Sequence, residues 1–537
     1  MNNHFLQESR LVPLFFLFLL AIGLWIVPDY GISWDEDIQR KHGRVAWDYV
    51  SEKWNLDWEK LEPEESFRIY KYNFHGTLFQ MTCFWIQRQL GLEDYRDITL
   101  LRHYSVFLLF FLSSIFFYKT LKFRFRSWQL ALLGTAMLVL SPRIFGNAFF
   151  NTKDLILLPC YIISIYTLLR FLQAKNGKWA IWHAIACALV INARLMGVIV
   201  PFLTILFFLI DLFHQRKRFR AVHLLSLALF LLLASAFSIA LWPYLWENPI
   251  HNFLAAFELL SKYNWGGNML YFNTWINAQE VPWHYSLAWI HLSTPLVYLI
   301  FFWVGFYQIW KQLFRRIFSR SFAFYNSPNQ LYDLVLLALC VGPIFIVVWR
   351  ASVIYDSWRH LFFIYPALLF VAIRGFVRAS NYFKNKQRSL VQHLPKIILL
   401  LSMSLTLVYM LCNHPYQHTY MTMPDDDLER RFEIDYWGVA YQTALRTLIE
   451  RENKEKIKVR SANYPGDANA RLLPKDIRDR IELVWDVKQA DYYITNYRYE
   501  QEINRYKKNL FPLEKEREFL VIRSWNTKVI GVYDVRE

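Results

Sequence analysis

The sequence predicts a polytopic α-helical membrane protein with a small soluble α/β domain at its C-terminal end. Three observations carry this. Of 537 residues, 55% are hydrophobic and only 19% charged, and apolar runs recur from residue 11 to residue 412; about 20 such residues suffice to cross a bilayer as a helix. Basic residues cluster in short loops between these runs, as topology signals do. Beyond residue 412 the composition changes to mixed charge with short alternating runs. The net charge of +16 follows the loops rather than one patch or tail, so no nucleic-acid partner is expected.

Taken in order, spans are expected near 11–27, 104–118, 128–141, 155–172, 179–192, 197–213, 222–242, 287–309, 331–349, 360–377 and 396–412, about eleven in all. The first is too long for a signal-peptide core and no A-x-A site follows it, so it reads as a retained anchor. Basic loops carry Lys119, Lys122, Arg124 and Arg126; Arg170, Lys175 and Lys178; Arg216, Lys217, Arg218 and Arg220; Lys311, Arg315, Arg316 and Arg320; and Lys384, Lys386 and Arg388. All fall on the side of the N-terminus, which the positive-inside rule makes cytoplasmic. The short spans 179–192 and 197–213 are kept apart, because merging them would send "HQRKRFR" outside against that rule. An odd number of spans leaves the C-terminus outside. The expected organisation is a membrane domain over 1–412, with 28–102 as its first outer loop, and an extracytoplasmic α/β domain over 413–537. In that domain "KIKVRSA", "IELVWDV", "DYYITN", "FLVIRS" and "KVIGVYDV" read as strands and "YWGVAYQTALRTLIERE" as a helix. No internal repeat supports an inverted-repeat transporter. Cys83, Cys160, Cys187, Cys340 and Cys412 form no CxxC pair or zinc spacing and read as small core residues.

The outer loops carry ionisable groups close to the ends of spans. The first has "SWDED", with Asp35, Glu36 and Asp37, and "YNFHGTLF" with His75. "RIFGNAFFNTKD" supplies Arg143, Lys153 and Asp154, "NARLMG" supplies Arg194, and "RASVIYDSWRHLFF" supplies Arg350, Asp356, Arg359 and His360. Charge at membrane depth costs about 2.5–3.5 kcal/mol on insertion scales, so such groups face a polar cavity or one another. Singly, each has a plain reading: a solvated loop or helix cap for Asp35–Asp37, a capping ion pair for Lys153 and Asp154, a lipid anchor for Arg194 and Arg359. Together on one face, they suit a phosphate-linked lipid substrate. Arginine grips phosphate in two places, and a carboxylate takes the proton of an attacking hydroxyl. "DED" fits a metal-binding D-x-D pattern, but nucleotide sugars are cytosolic and this loop is not. P-loop, HExxH, GxSxG and strand-borne GxGxxG motifs are missing from the sequence.

The chain resembles the GT-C membrane glycosyltransferases, within them the protein O-mannosyltransferase and aminoarabinose-transferase-like group. The resemblance rests on "SWDEDIQRKHG", "YNFHGTLF", "SPRIFGNAFFNTKDLILLP", "NARLMGVIVP", "LWPYLWENP", "PWHYSLAWIHLSTPL" and "YDSWRHLFFIYP", in that order across most of residues 31–366. The tail stretches "IDYWGVAYQTALRTL" and "ADYYITNYR" look like the appended domain of bacterial relatives. Such enzymes transfer a sugar from a polyprenyl phosphate with inversion, to a lipid, glycan or protein acceptor. The resemblance implies Asp35 as general base, Glu36 as its modulator or an acceptor contact, and Asp154 as a second acid. Two adjacent carboxylates would raise one pKa toward neutrality. Lys153, Arg143, Arg194 and Arg359 become candidates for the lipid phosphate. His75 and His360 become hydrogen-bond partners, Trp283, His284 and Tyr285 line the cavity mouth, and Asp356 joins the substrate cavity. His75 stands where some relatives place an acid–lysine pair, so sugar-specific contacts do not carry over. The loop after the seventh span is too short for the additional domain of the eukaryotic enzymes, which implies a bacterial cytoplasmic membrane. A divalent metal held by the acid pair and His75 stays open beside charge stabilisation by arginine. The alternatives are a lipid or polysaccharide transporter, which predicts ionisable groups through the helix interiors, and a non-catalytic scaffold that uses the tail as a receptor.

Overall fold

The computed structural model describes residues 2–56, 66–214, 220–261, 265–318, 323–384, 386, 389–423, 428–498 and 517–536. Arg216, Lys217, Arg218, Arg320 and Arg388 of the predicted basic loops lie outside them. Helix α1 (Asn2–Ile26) is followed by two short helices, α2 (Glu36–Lys53) and α3 (Leu78–Gln89), then by α4 (Tyr95–Phe125), α5 (Trp128–Val139), α6 (Pro142–Asn147), α7 (Asp154–Ala174), α8 (Gly177–Ala193), α9 (Ile199–His214) and α10 (Ala221–Leu241). Next come α11 (Pro249–Ser261), a hairpin of β1 (Asn268–Tyr271) and β2 (Thr274–Asn277), α12 (Tyr285–Ser293), α13 (Leu296–Ile317), α14 (Pro328–Trp349), α15 (Tyr365–Phe383) and α16 (Ser389–Cys412).

Every expected span overlaps one of these helices. By length and composition, eight helical stretches among the described residues can cross a membrane; α5 is apolar but short. Boundaries moved where local chemistry dictates. The span expected at 287–309 is broken between α12 and α13, because Pro295 forces Thr294 into extended backbone. The span expected at 104–118 extends to both sides as α4, started by Asp94, whose side chain accepts from Arg96 N at 2.9 Å, and stopped by Arg126 in the left-handed region. Ser127, Asn176 and Ser327 cap α5, α8 and α14 in the same way. The chain reverses at "NARLMG": Arg194 is extended, and His183 on α8 meets Thr204 on α9 at 2.8 Å. Two separate helices, α8 and α9, therefore occupy this stretch, and of the two only the second is long and apolar enough to cross a membrane by length and composition.

At the end of the bundle carrying the basic loops, charges pair off. Arg124 grips Asp333 with Nε and Nη2 at 2.8 and 2.6 Å, Arg374 adds a third bond at 3.2 Å, and Lys175 pairs with Asp211.

After α16 come α17 (Leu428–Arg431), α18 (Tyr441–Arg451), β3 (Ile457–Ser461), α19 (Tyr464–Leu472) and, in order, β4 (Ile481–Leu483), β5 (Tyr492–Thr495), β6 (Glu518–Ser524) and β7 (Thr527–Asp534). The five strands occupy the five predicted runs and form one sheet, ordered β4-β3-β5-β7-β6. β3 is parallel to β4 and β5, while β7 is antiparallel to β5 and β6. The expected boundary at 412 marks the end of the last long helix, but Phe432, Ile434, Tyr436 and Trp437 belong to the core of the bundle. The sheet's own core is built from Tyr416 and from Ala440 onward.

This domain is seated tightly on the turn after α1. Asn469 Nδ2 donates to Ile32 O and its Oδ1 accepts from Ile32 N, both at 3.0 Å. Trp34 N donates to Trp437 O at 3.1 Å. Asp37 accepts from Tyr95 at 2.9 Å, from Arg471 at 2.9 Å and from Tyr464. The solvated-loop reading of Asp37 is therefore corrected: it clasps the tail domain. A Cβ on Gly31 would lie 2.2 Å from Val439 O, where no side chain can give way. Gly31→Ala is expected to cost about 1–3 kcal/mol and to lower the melting temperature of the purified protein; an unchanged Tm would refute this seating.

Candidate active site

Asp35 occupies the N-cap position of α2, yet its side chain makes no capping bond. Its Oδ2 instead accepts from Lys153 Nζ at 3.1 Å and from Arg359 Nη1 at 3.0 Å. Lys153 likewise precedes α7 without capping it; Asn151 Oδ1 takes the Lys153 and Asp154 amides at 3.3 and 2.8 Å. The helix-cap and local-ion-pair readings of these residues both fail, because each side chain is committed to a distant partner. Burial alone would raise the Asp35 carboxyl, but Lys153 and Arg359 outweigh it and hold the group well below the ordinary carboxylate range.

Arg359 is the hub. Its Nη1 also reaches Asp154 Oδ2 at 3.2 Å, and its Nη2 reaches Asp356 Oδ2 at 3.2 Å. The guanidinium lies between the rings of Tyr355 and Trp437, 4.6 and 4.8 Å from their centroids. Asp154 pairs in addition with Arg194 from the α8–α9 turn. Asp356 accepts from Arg498 of the tail domain at 2.7 Å, and Glu433 lies 3.5 Å from the same guanidinium. Charge is balanced: Asp35, Asp154, Asp356 and Glu433 face Lys153, Arg194, Arg359 and Arg498. That balance makes ionised groups tolerable at 3% exposure for Arg359 and 0% for Asp154.

Beside this cluster lies a cavity of about 720 Å³. Its walls are mainly apolar, with Phe79, Ile156, Met196, Phe202, Trp242 and Val347 among them, while Lys153, Arg194 and Arg350 bring positive charge to it. Gly76 lets one wall close up, since a Cβ there would fall 1.7 Å from Asn192 O. His75 and His360 also line it. His75 stacks on His42 with ring centroids 5.7 Å apart. Burial first, then Lys153, holds the His75 imidazole well below its usual value, and the same pair of causes takes His42 down to about 3. Both rings are neutral near pH 7 and serve as hydrogen-bonding groups, not as cations.

The structure therefore brings together Asp35, Lys153, Asp154, Arg194, Arg359, His75 and His360. Other expected residues fall elsewhere. Glu36 is turned away: it accepts from Ser33 N and Oγ at 2.7 and 3.0 Å and pairs with His103 at 2.9 Å, closing the first turn of α2. It does not raise the pKa of Asp35; the two cations set the opposite direction. Arg143 donates to Tyr420 O at 3.1 Å and lies over Trp289, away from the cavity. His284 is exposed and meets Tyr271 Oη at 3.0 Å. Tyr285 is buried, its Oη accepting from Ser357 N at 3.0 Å, so it buttresses the loop carrying Arg359 instead of lining the mouth. Asp356 orients Arg359 and does not reach the cavity. Among the described residues no three His, Cys, Asp or Glu side chains gather where they could hold a metal ion; Glu36 is tied to Ser33 and His103. Sequence reasoning left Arg350 without a role and passed over Gln39, Gln80, Glu433 and Arg498. Gln80 Nε2 ties Gln39 Oε1 to Thr152 O at 3.1 and 2.7 Å, linking α2 and α3 to the loop of Lys153.

Residues 102–242 match the dolichyl-phosphate-mannose-protein mannosyltransferase family. Among solved structures, the archaeal oligosaccharyltransferase AglB from Archaeoglobus fulgidus, in complex with an inhibitory peptide and a dolichol-phosphate, superposes with a TM-score of 0.51 at 10% identity, over 90% of this chain and 70% of that one. The chain has the GT-C fold. The apo form of the Archaeoglobus fulgidus oligosaccharyltransferase gives a TM-score of 0.47 at 12% identity over 89% of this chain, which spans 65% of that protein's length. ArnT from Cupriavidus metallidurans bound to undecaprenyl phosphate gives 0.46 at 12% identity, over 97% of each chain. No curated protein matches by sequence. Within the GT-C frame, Asp35, Lys153, Arg194 and Arg359 stand on four separate chain segments at one end of the bundle, and the tail domain sits over them.

Proposed function

We propose that this protein is an inverting glycosyltransferase that moves a sugar from a polyprenyl phosphate to an acceptor hydroxyl on the extracytoplasmic side of a bacterial cytoplasmic membrane. The observation that supports it best is the pairing of Asp35 with Lys153 and Arg359, because Lys153 itself lines the apolar cavity and, with Arg194 and Arg350, brings positive charge to it. The apolar walls suit a polyprenyl chain, and the cations suit its phosphate. Both bonds to Asp35 end on Oδ2, leaving Oδ1 as the acceptor of the hydroxyl proton. As the acceptor oxygen bonds to the anomeric carbon, the carbon–oxygen bond to phosphate breaks and its electron pair leaves on the phosphate, beside Lys153 and Arg194. A single displacement of this kind inverts the anomeric centre. A bound phosphate also competes for Lys153, which raises the basicity of Asp35 when the donor is present.

Topology supports the side. Lys119, Lys122, Lys175, Lys178, Arg315 and Arg316 lie at the end opposite this cluster, the cytoplasmic one by the positive-inside rule. At that end Arg124 and Arg374 pair with Asp333, and Lys175 pairs with Asp211. The test is mass spectrometry of the lipid that copurifies with the Asp35→Asn protein. A polyprenyl-phosphate sugar is expected; a phospholipid alone, with no sugar transfer by the reconstituted wild type, would reject the reading.

A further inference from the structure

Arg498 lies in the tail domain, three residues beyond β5, yet its guanidinium is among the most buried in the molecule, at 3% exposure. It donates to Asp356 Oδ1 at 2.7 Å and to Tyr436 O, and stands over the Trp34 ring at 5.6 Å. Trp34 is the neighbour of Asp35, and the second oxygen of Asp356 holds Arg359. One tail-domain side chain thus touches the loops of both Asp35 and Arg359. The loop it meets is unusual: Asp356 and Ser357 are consecutive non-glycine residues in the left-handed region, at φ 54° and 67°, held by Tyr285 Oη and Met269 Sδ.

We infer that Arg498 is a positioning residue that saturates Asp356, so that Arg359 is shared with Asp35 and Asp154 and is not drawn away from them. It makes the seated tail domain part of the active centre. The inference rests on the transferase reading for its kinetic consequence, but not for its electrostatic one. The groups facing Asp35 are Lys153, Arg359, His42, His75 and Tyr355. Those facing Arg359 are Asp35, Asp154, Asp356, Tyr355, Tyr436 and His360, with Arg498 and Glu433 behind Asp356. Removing Arg498 leaves Asp356 with Arg359 as its remaining arginine, so Arg359 moves toward it and Asp35 loses a cation.

The test is the pH dependence of carbodiimide labelling at Asp35 in the full-length protein, read by peptide mass spectrometry. In Arg498→Met the midpoint is expected to rise by about one pH unit or more; in Arg498→Lys it rises less. The double variant Arg498→Met/Asp356→Asn is expected to return toward the wild-type midpoint, because a neutral side chain no longer competes for Arg359. A general loosening of the domain would not be rescued by a second substitution. An unmoved midpoint in Arg498→Met, or a double variant as shifted as the single one, overturns the inference. Sugar transfer is the separate arm: Arg498→Met should lower kcat about tenfold with the KM for the polyprenyl-phosphate sugar unchanged, since Arg498 does not line the cavity. If the wild type transfers no sugar, the transferase reading falls while the labelling result still decides the role of Arg498.

Discussion

Asp35→Asn in reconstituted membranes is expected to reduce sugar transfer about a thousandfold, the ordinary contribution of a positioned general base, while leaving lipid-phosphate binding in place. The amide is the same size and keeps an oxygen for Lys153 and Arg359, but it accepts no proton. Binding and transfer are measured on the same vesicles, so loss of one without the other identifies the step; full transfer by the Asn variant would remove Asp35 from the base role. The pH profile of the wild type follows from the same two ion pairs. kcat/KM reports the free protein, in which Lys153 and Arg359 hold the Asp35 carboxyl below the ordinary range. The group is therefore ionised at neutral pH, and the acid limb of kcat/KM is expected below about pH 4. A limb near pH 6 would mean that the cations do not reach Asp35. The stability supplied by these pairs has the same sign. It is complete above the unfolded-state pKa, about 3.9, and is lost as pH falls through the folded one.

Arg359→Met is expected to do the largest structural damage. It removes the group shared by Asp35, Asp154 and Asp356 and leaves buried carboxylates facing one another with fewer cations. Breaking a buried pair from one side costs about 3–5 kcal/mol, so a fall of several degrees in the melting temperature of the detergent-solubilised protein is expected, together with loss of transfer. Arg359→Lys keeps the charge but has no planar fork to span three carboxylates, so it should recover part of the stability and little of the activity. A Met variant as stable as the wild type would show that the cluster is solvated and that the hub has been misassigned.

Much of the molecule is legible from local chemistry. The long apolar runs have no stable state in water other than burial, and basic loops mark one end of the bundle, so helix order follows from residues alone. The five strands after residue 456 announce themselves by short runs of β-branched and aromatic residues. Asp35, Lys153, Asp154, Arg194 and Arg359 are noticeable because a charge at a helix end next to lipid needs a reason.

The pairings are a different matter. Asp35 and Glu36 are neighbours with the same functional group, yet one faces Lys153 and Arg359 and the other faces Ser33 and His103. A helix turns about 100° per residue, so adjacent carboxylates at its start point into different environments, and which is which depends only on where His103, Lys153 and Arg359 are brought to the start of α2. Arg143 and Tyr285 lie as close to the ends of their helices as Lys153 does, but their helices are rotated so that they brace loops. Arg498 carries no local signal, since an arginine at the edge of a soluble sheet is ordinary until the tail domain is seated. Hydrophobic periodicity and insertion cost act within a few residues, so the membrane bundle, the α/β tail and the collection of charges at one end are all written in short stretches of the chain. Which acid is held by which base is set only on folding, because a bond between residues 324 positions apart depends on the rotation and seating of whole elements, which no short stretch encodes.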